Sequence, residues 1–256
     1  MKCHAGCGQL AVIDALRRLD LWRRDDRERP LLTEAERERR RRQEAEPEGE
    51  KLRKDAFIER LWRQTWADAM PAPDSPIERW LQHRGINRAK LELDRLPLRW
   101  APHCTRGSDR APAMVALMTD PVTGAPCGIH RTFLLPNGSG KSPIEPVRMM
   151  LGRAGVIRLT PDDEIEECLG VCEGIESGLA IMAFGYRPMW ACGSLGGVTD
   201  FPVLAGVDCI TVFSDPKPHE KEGARSCAKR WAEAGRRSFL RTPYKGDWND
   251  ALREDA

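Results

Sequence analysis

Residues 168–185 read CLGVCEGIESGLAIMAFG, and this stretch decides the fold. It opens with an apolar run that is typical of a short buried strand, and Glu173 stands where that run ends. Gly174 allows the backbone to turn tightly, and 176–184 have the composition of a helix. The stretch therefore predicts an acid at the carboxyl end of a strand, which is where open parallel sheets hold their ligands.

A second strand-like run, CITVF at 209–213, leads directly into Ser214 and Asp215. Because parallel strands end at the same edge of a sheet, we expect Glu173 and Asp215 to lie close together. Two carboxylates, completed by water and substrate phosphates, are oxygen ligands that suit Mg²⁺. The alternative is purely structural: Glu173 caps a helix and Asp215 begins a turn.

The order of motifs in this region resembles that of a Toprim domain. VCEGIESGLA is followed by PMWAC, the glycine-rich turn GSLGG, ITVFSD, a helix and GDWNDAL. This order is most similar to the Toprim domains of primase-like proteins of phages and plasmids, whose first motif reads close to EGIETALA. Upstream, IERWLQHRGI, PAMVALMTDPVTGAPCGIHRTFL and VRMMLG resemble segments of the same family, so the resemblance covers residues 77–256.

The C-terminal part alternates strand and helix, as an α/β sheet with crossover helices requires. We expect a Rossmann-like Toprim domain with a mostly parallel four-stranded sheet, preceded by a smaller basic α+β domain and a charged helical N-terminal segment. The expected strands are 169–172, 189–192, 210–213 and 238–241. The expected domains are a partial zinc-ribbon remnant with a helix at 1–24, a charged helical linker at 25–76, a basic α+β primase-like subdomain at 77–160 and the Toprim domain at 161–256.

Cys3 and Cys7 flank a tight turn ahead of a helix, and in the primase-like family this looks like half of a small zinc ribbon. A closed structural zinc site needs four ligands. One interpretation is a remnant that no longer holds Zn²⁺. The other is that Zn²⁺ is still bound with help from elsewhere, for instance from His103 and Cys104.

Charged residues dominate 25–54, which predicts a solvated helix or connector interrupted at Pro47 and Gly49. After it, apolar side chains recur at helical intervals and predict a packing face. They are Phe57, Leu61, Trp62 and Trp66.

Charge is distributed unevenly in a chain whose net charge is only +2. Residues 79–158 contain 13 Lys and Arg against 5 Asp and Glu, whereas 159–256 contain 11 against 17. A basic middle region suits a nucleic-acid backbone, and the alternative is scattered solubilising arginines. The basic residues expected to line a phosphate-binding surface are Arg84, Arg131, Lys141, Arg148 and Arg153. Gly196 and Gly197 belong to a loop that can approach a phosphate closely.

Near the C-terminus, GDWNDAL places Asp247 and Asp250 at a helix start. Asp247 is expected to be the N-cap of this helix. The resemblance also implies that Asp247 or Asp250 serves the Mg²⁺ site.

One position departs from the family pattern. Toprim proteins usually follow this strand with Asp, any residue, Asp, whereas here Asp215 is followed by Pro216 and Lys217. An ammonium group in place of a carboxylate repels a divalent ion, although it can bind a phosphate directly. Three outcomes are open: one metal held by Glu173 and Asp215, a replacement ligand from His219, Glu220 or Glu222, or loss of catalysis.

The resemblance implies metal-dependent nucleotidyl transfer, with Mg²⁺ or Mn²⁺ held by Glu173 and Asp215. The expected substrates are nucleoside triphosphates, joined into short primers on single-stranded DNA in phage or plasmid replication, with a replicative helicase as an expected partner. One alternative is a DNA-binding or helicase-partner module that has lost the reaction, and another is a Toprim nuclease, against which the upstream motifs argue. The sequence has no signal peptide or membrane-spanning run, so we expect a cytoplasmic protein without membrane contact.

Overall fold

The computed structural model describes residues 9–19, 21, 34–86 and 91–254. The chain divides into two compact units, Met1–Lys51 and Leu52–Ala256. The described part of the first unit holds helix α1, Gln9–Arg18, and the beginning of helix α2, Glu34–Asp68. Cys3 and Cys7 lie outside the described residues, so the zinc-ribbon interpretation stays a prediction.

Helix α2 continues through Pro47 and Gly49, so the predicted interruption there is wrong. A proline removes one backbone hydrogen bond and clashes with the preceding turn. The flanking residues are mostly Glu, Arg, Lys and Ala, which are strong helix formers, and they maintain the helix on both sides.

The second unit contains, after the C-terminal part of α2, an antiparallel sheet whose five strands pair in chain order. They are β1 (Met70–Pro71), β2 (Leu98–Arg106), β3 (Asp109–Thr119), β4 (Pro126–Phe133) and β5 (Arg148–Gly152). Strands β3 and β4 form an antiparallel hairpin. Helix α3, Pro76–His83, starts with Ser75 as N-cap and a proline in its first turn, which is a favourable helix start.

The C-terminal part of α2 packs on this first sheet. Trp62 is 3% exposed and lies in a core cluster with Val115, Ile129 and Phe133. The predicted packing face is therefore confirmed at Trp62. It is wrong at Phe57, which is 54% exposed.

The second sheet is mostly parallel, as predicted, but it has five strands rather than four. In spatial order they are β10 (Arg237–Arg241), β9 (Cys209–Phe213), β7 (Cys168–Cys172), β8 (Met189–Ala191) and β6 (Ile157–Arg158). The first four are parallel, and β6 runs antiparallel to β8. Sequence patterning missed β6 because two residues carry no periodicity.

Four helices accompany the second sheet: α4 (Ile175–Ala183), α5 (Leu195–Thr199), α6 (Pro218–Glu233) and α7 (Trp248–Glu254). The α/β fold class is thus confirmed. No helix in the described part of the chain is both long and apolar enough to cross a membrane.

The two sheets share one hydrophobic core. Met114 and Met118 of β3 belong to the same buried cluster as Ile157 of β6 and Leu179 of α4. A backbone bridge between Thr119 and the residue before β6 continues the contact between the sheets. This packing brings β4 and β5 beside the edge where β7 and β9 end.

The glycine-rich segment expected as a loop forms the first turn of α5, and packing determines its glycines. A Cβ atom on Gly197 would collide with the carbonyl oxygen of Cys192. At Gly196, by contrast, a Cβ atom would meet only the Ser194 hydroxyl, at 3.9 Å. Gly197 is therefore required by the close approach of the helix start to β8.

We predict that Gly197→Ala lowers the free energy of unfolding by roughly 1–3 kcal/mol, because the added methyl group overpacks the loop. Gly196→Ala is the matched control. It should leave stability unchanged or slightly raised, since alanine favours a helix. Urea unfolding of the two variants measures the difference, and equal stabilities would show that the close approach has no energetic consequence.

Candidate active site

A backbone hydrogen bond and the start of the next helix fix the position of Glu173 at the end of β7. The next residue, Gly174, is the N-cap of α4. The carbonyl oxygen of Glu173 accepts a 2.8 Å hydrogen bond from the amide of Gly193, which has φ +74°. The positive φ explains why glycine occupies position 193. The Glu173 side chain is left half-buried at the edge of the sheet.

Asp215 stands two residues beyond β9, the strand next to β7. Because the two strands are parallel and adjacent, Glu173 and Asp215 share one edge of the sheet. A cavity of about 20 Å³ is lined there by both carboxylates, by Glu220 and by apolar groups that include Phe213 and Trp248. This volume admits about one water molecule or one small ion.

The cavity has one unsatisfied acceptor that a cation would complete. Oδ1 of Asp215 is buried and has no hydrogen-bond partner. Burial, followed by the charge of Glu220, raises the pKa of Glu173. Burial, followed by the charges of Glu220 and Asp247, raises the pKa of Asp215 to about 6. Buried, mutually repelling carboxylates with an unpartnered oxygen fit the oxygen-rich surroundings that Mg²⁺ prefers.

The acidic side chains around the cavity are not arranged as a complete set of metal ligands. Within the described ranges, no group of three or more His, Cys, Asp or Glu side chains is arranged to hold a metal ion. Glu220 is instead paired with Lys217, whose Nζ lies 2.9 Å from Oε1 of Glu220. Its hydrogen bond to Glu220 and the charge of that carboxylate raise the pKa of Lys217. The residue that departs from the family pattern thus neutralises a third acid of the cavity.

Asp247 and Asp250 form a reciprocal cap at the start of α7. The amide of Asp250 donates to Oδ1 of Asp247 at 2.8 Å, and the amide of Asp247 donates to Oδ2 of Asp250 at 3.2 Å. Asp247 is also paired with Arg84 at 3.5 Å. Asp247 lies close enough to Asp215 to raise its pKa, whereas the Asp250 carboxylate is engaged in the cap.

Three of the predicted basic residues converge on one buried acid, Glu176, in the first turn of α4. Nε of Arg84, Nζ of Lys141 and Nη2 of Arg148 each lie 3.1 Å from a carboxylate oxygen of Glu176. The Glu176 side chain is 6% exposed, whereas that of Arg148 is 53% exposed. Burial alone would raise the pKa of Glu176, but the three cations lower it. Three cations against one carboxylate leave an excess of positive charge. We call these four residues the Glu176 cluster.

The other two predicted basic residues lie elsewhere. Arg131 is 4% exposed and donates to the carbonyl oxygens of Thr105 and Met150, so its expected place on a phosphate-binding surface is wrong. Both faces of the first sheet are covered by packed side chains. The alternation of residues along a strand does not show whether one face or both faces are buried. Arg153 is exposed and lies beside Trp62 of α2, away from the Glu176 cluster.

A larger cavity of about 160 Å³ adjoins the acidic edge. Arg148, Glu173 and Glu176 line it together with Ser194 and His130. Burial, followed by the charge of Arg148, lowers the pKa of His130 to about 4, so this imidazole is neutral at pH 7. Gly193 contributes to the wall, while Gly196 and Gly197 begin α5 just beyond it.

Sequence reasoning missed Glu176 as the centre of the basic cluster. The available signal was a single acid in the first turn of an otherwise apolar helix. Such a residue is also a common helix-dipole partner, so the pattern alone did not identify its contacts.

Two family models match the chain. Residues 168–256 match a Toprim domain. The C-terminal region of the chain carries a Toprim domain. Residues 58–158 match a domain of unknown function (DUF7146). No curated protein matches the chain.

Several solved structures of primases share the fold. A crystal structure of the Aquifex aeolicus primase (zinc binding and RNA polymerase domains) is 11% identical, with a TM-score of 0.52, over 77% of this chain and 57% of that one. A DnaG primase catalytic domain bound to ssDNA is 12% identical, with a TM-score of 0.54, and the match covers 78% of this chain and 77% of that one. A DnaG catalytic core is 13% identical, with a TM-score of 0.55, and the match covers 78% of this chain and 76% of that one. Similarity at this level of identity establishes the fold alone.

We predict that Glu176→Ala lowers the free energy of unfolding by roughly 3 kcal/mol, because it leaves three clustered cations without their buried partner. Glu166→Ala, at an exposed acid shortly before β7, should change it by less than about 0.5 kcal/mol. Urea unfolding measures both values. Equal effects would mean that the Glu176 cluster does not stabilise the fold.

Replacement of Asp215 by Asn tests the electrostatics of the acidic cavity. The pKa of Asp215, about 6, exceeds the value of roughly 4 for an unfolded aspartate. The contribution of Asp215 to the stability of the metal-free protein should therefore fall as the pH rises from about 4 through about 6. Asp215→Asn does not ionise, so its Tm in chelator should exceed that of wild type at neutral pH. The difference should shrink as the pH falls towards about 4.

Asp200→Asn, at an exposed aspartate outside the cavity, is the control for the loss of one negative charge. Its Tm difference from wild type should stay nearly constant over the same pH range. A pH-independent difference for Asp215→Asn would contradict the raised pKa.

Proposed function

We propose that this protein is a primase-like nucleotidyltransferase that uses Mg²⁺ or Mn²⁺ to join nucleoside triphosphates into short primers on single-stranded DNA. The observation that carries the proposal is a pair of neighbouring cavities at one edge of the second sheet. An ion-sized cavity lined by Glu173 and Asp215 lies next to a larger cavity lined by Glu173 and the cationic Arg148.

Glu173 and Asp215 would hold the divalent ion. When bound, it supplies electrostatic stabilisation of the charge that develops on the transferred phosphoryl group and the leaving group. Asp247 forms an ion pair with Arg84. Its negative charge also raises the pKa of Asp215 and so influences the metal site. Asp250 orients Asp247 through the helix cap.

The Glu176 cluster would bind the triphosphate of the incoming nucleotide. Its cations exceed its carboxylate in number, and Arg148 is half-exposed and lines the larger cavity. A guanidinium group can donate two parallel hydrogen bonds to a phosphate. Glu176 holds the three cations in place before the substrate arrives, which reduces the entropy lost on binding.

The basic region 77–160 would hold the template, and 161–256 would carry the chemistry. The excess of Lys and Arg in 79–158 supports backbone binding. A DnaG primase catalytic domain with the same fold has been solved bound to ssDNA. The motif resemblance supports a role in phage or plasmid replication beside a replicative helicase.

A second candidate function follows from Lys217. If its ammonium group excludes the metal permanently, the domain serves as a DNA-binding or helicase-partner module that has lost the reaction. The pairing of Lys217 with Glu220 at 2.9 Å is the observation that favours it.

Primer synthesis by a Glu173→Gln variant tests the proposal. Labelled nucleoside triphosphates, a single-stranded template and Mg²⁺ should yield short oligonucleotides with wild-type protein and with the exposed-acid control Glu166→Gln. Glu173→Gln should lose about 100-fold or more of this activity, since a group that stabilises the transition state is removed. Full activity of Glu173→Gln would refute the site. A folded wild type that binds single-stranded DNA without synthesis would establish the second candidate.

A further inference from the structure

The sequence around Asp215 lacks the second acid of the family pattern, and α6 supplies another nearby. Lys217 occupies the deviating position and is the N-cap of α6, with Pro218 as the first helical residue. Glu220 follows in the first turn, where an acid is favoured by the helix dipole. The helix start therefore fixes the direction from which Glu220 reaches the site.

Glu220 points inward rather than to solvent. It is 9% exposed and lines the 20 Å³ cavity together with Glu173 and Asp215. Three carboxylates around so small a cavity are unfavourable unless a cation compensates them. Lys217 compensates this negative charge only from the solvent side of the cavity, because its own side chain is 62% exposed.

The other candidate ligands of this segment do not line the cavity. The His219 side chain is 65% exposed, and its Nε2 lies 3.8 Å from Oε1 of Glu220. Glu222 is exposed. Neither residue lines the ion-sized cavity, so Glu220 is the acid of this segment that can complete a ligand set.

We propose that Glu220 supplies the third carboxylate of the divalent-metal site in place of the acid missing at position 217, with Lys217 as a displaceable counter-ion. The inference rests on the proposed function. In the present arrangement Oε1 of Glu220 is engaged by Lys217, which accounts for the lack of a converged ligand set in the described ranges. A divalent cation competes for this carboxylate, and the exposed Lys217 side chain moves out, where it can contact a substrate phosphate.

Mn²⁺ binding measured by electron paramagnetic resonance tests the inference without any dependence on activity. Glu220→Gln should weaken Mn²⁺ affinity at least tenfold, and the matched control Glu222→Gln should leave it unchanged. Lys217→Met removes the competing cation and should tighten Mn²⁺ binding several-fold. In the double variant the Lys217 substitution should tighten Mn²⁺ binding less than it does alone, because its effect through Glu220 is lost and only the effect of its charge on Glu173 and Asp215 remains.

The outcomes separate this inference from the proposed function. If Glu173→Gln abolishes Mn²⁺ binding while Glu220→Gln binds like wild type, Glu220 is not a ligand and only the inference fails. If neither variant alters binding, the metal site itself is refuted. Unchanged or weakened binding by Lys217→Met would overturn the counter-ion role. Near-ultraviolet circular dichroism of each metal-free variant confirms that a lost affinity does not reflect unfolding.

Discussion

The ion pairs of Glu176 are the interaction on which the arrangement of the site depends. The carboxylate belongs to α4, directly after the Glu173 turn, while its three partners come from the end of α3, the turn after β4 and the start of β5. One buried charge thus fastens the antiparallel sheet region to the Toprim region. Removal of the carboxylate would also leave Arg148 without the contact that directs it along the larger cavity.

The same sheet edge carries two clusters of opposite electrostatic character. The Glu176 cluster has more cations than anions, whereas Glu173, Asp215 and Glu220 form an acidic cavity with one exposed lysine as counter-charge. Such a pair is complementary to a metal-bound triphosphate, whose ion and phosphates carry opposite charges. The raised pKa values of Glu173 and Asp215 indicate that the metal-free state is electrostatically unfavourable and that cation binding would stabilise it.

The sequence predicted those features of the fold that rest on local pattern. Apolar runs ending in Glu173 and Asp215 indicated parallel strands with acids at one edge, because a short unbroken apolar run that ends in an acid is a local pattern. Long-range packing was less accessible: the burial of Arg131 depends on both faces of its sheet being covered. The convergence of three cations on Glu176 depends on residues far apart in the chain. The antiparallel strand β6 was too short for any periodic signal.

Diffraction from crystals soaked in Mn²⁺ tests the central claim most directly, because the anomalous signal of manganese locates the ion independently of activity. The account predicts a peak in the small cavity, with carboxylate oxygens of Glu173 and Asp215 at roughly the 2.0–2.2 Å expected for a small divalent ion. An ordered crystal with these carboxylates visible and no manganese peak between them, at a concentration that saturates binding in solution, would contradict it.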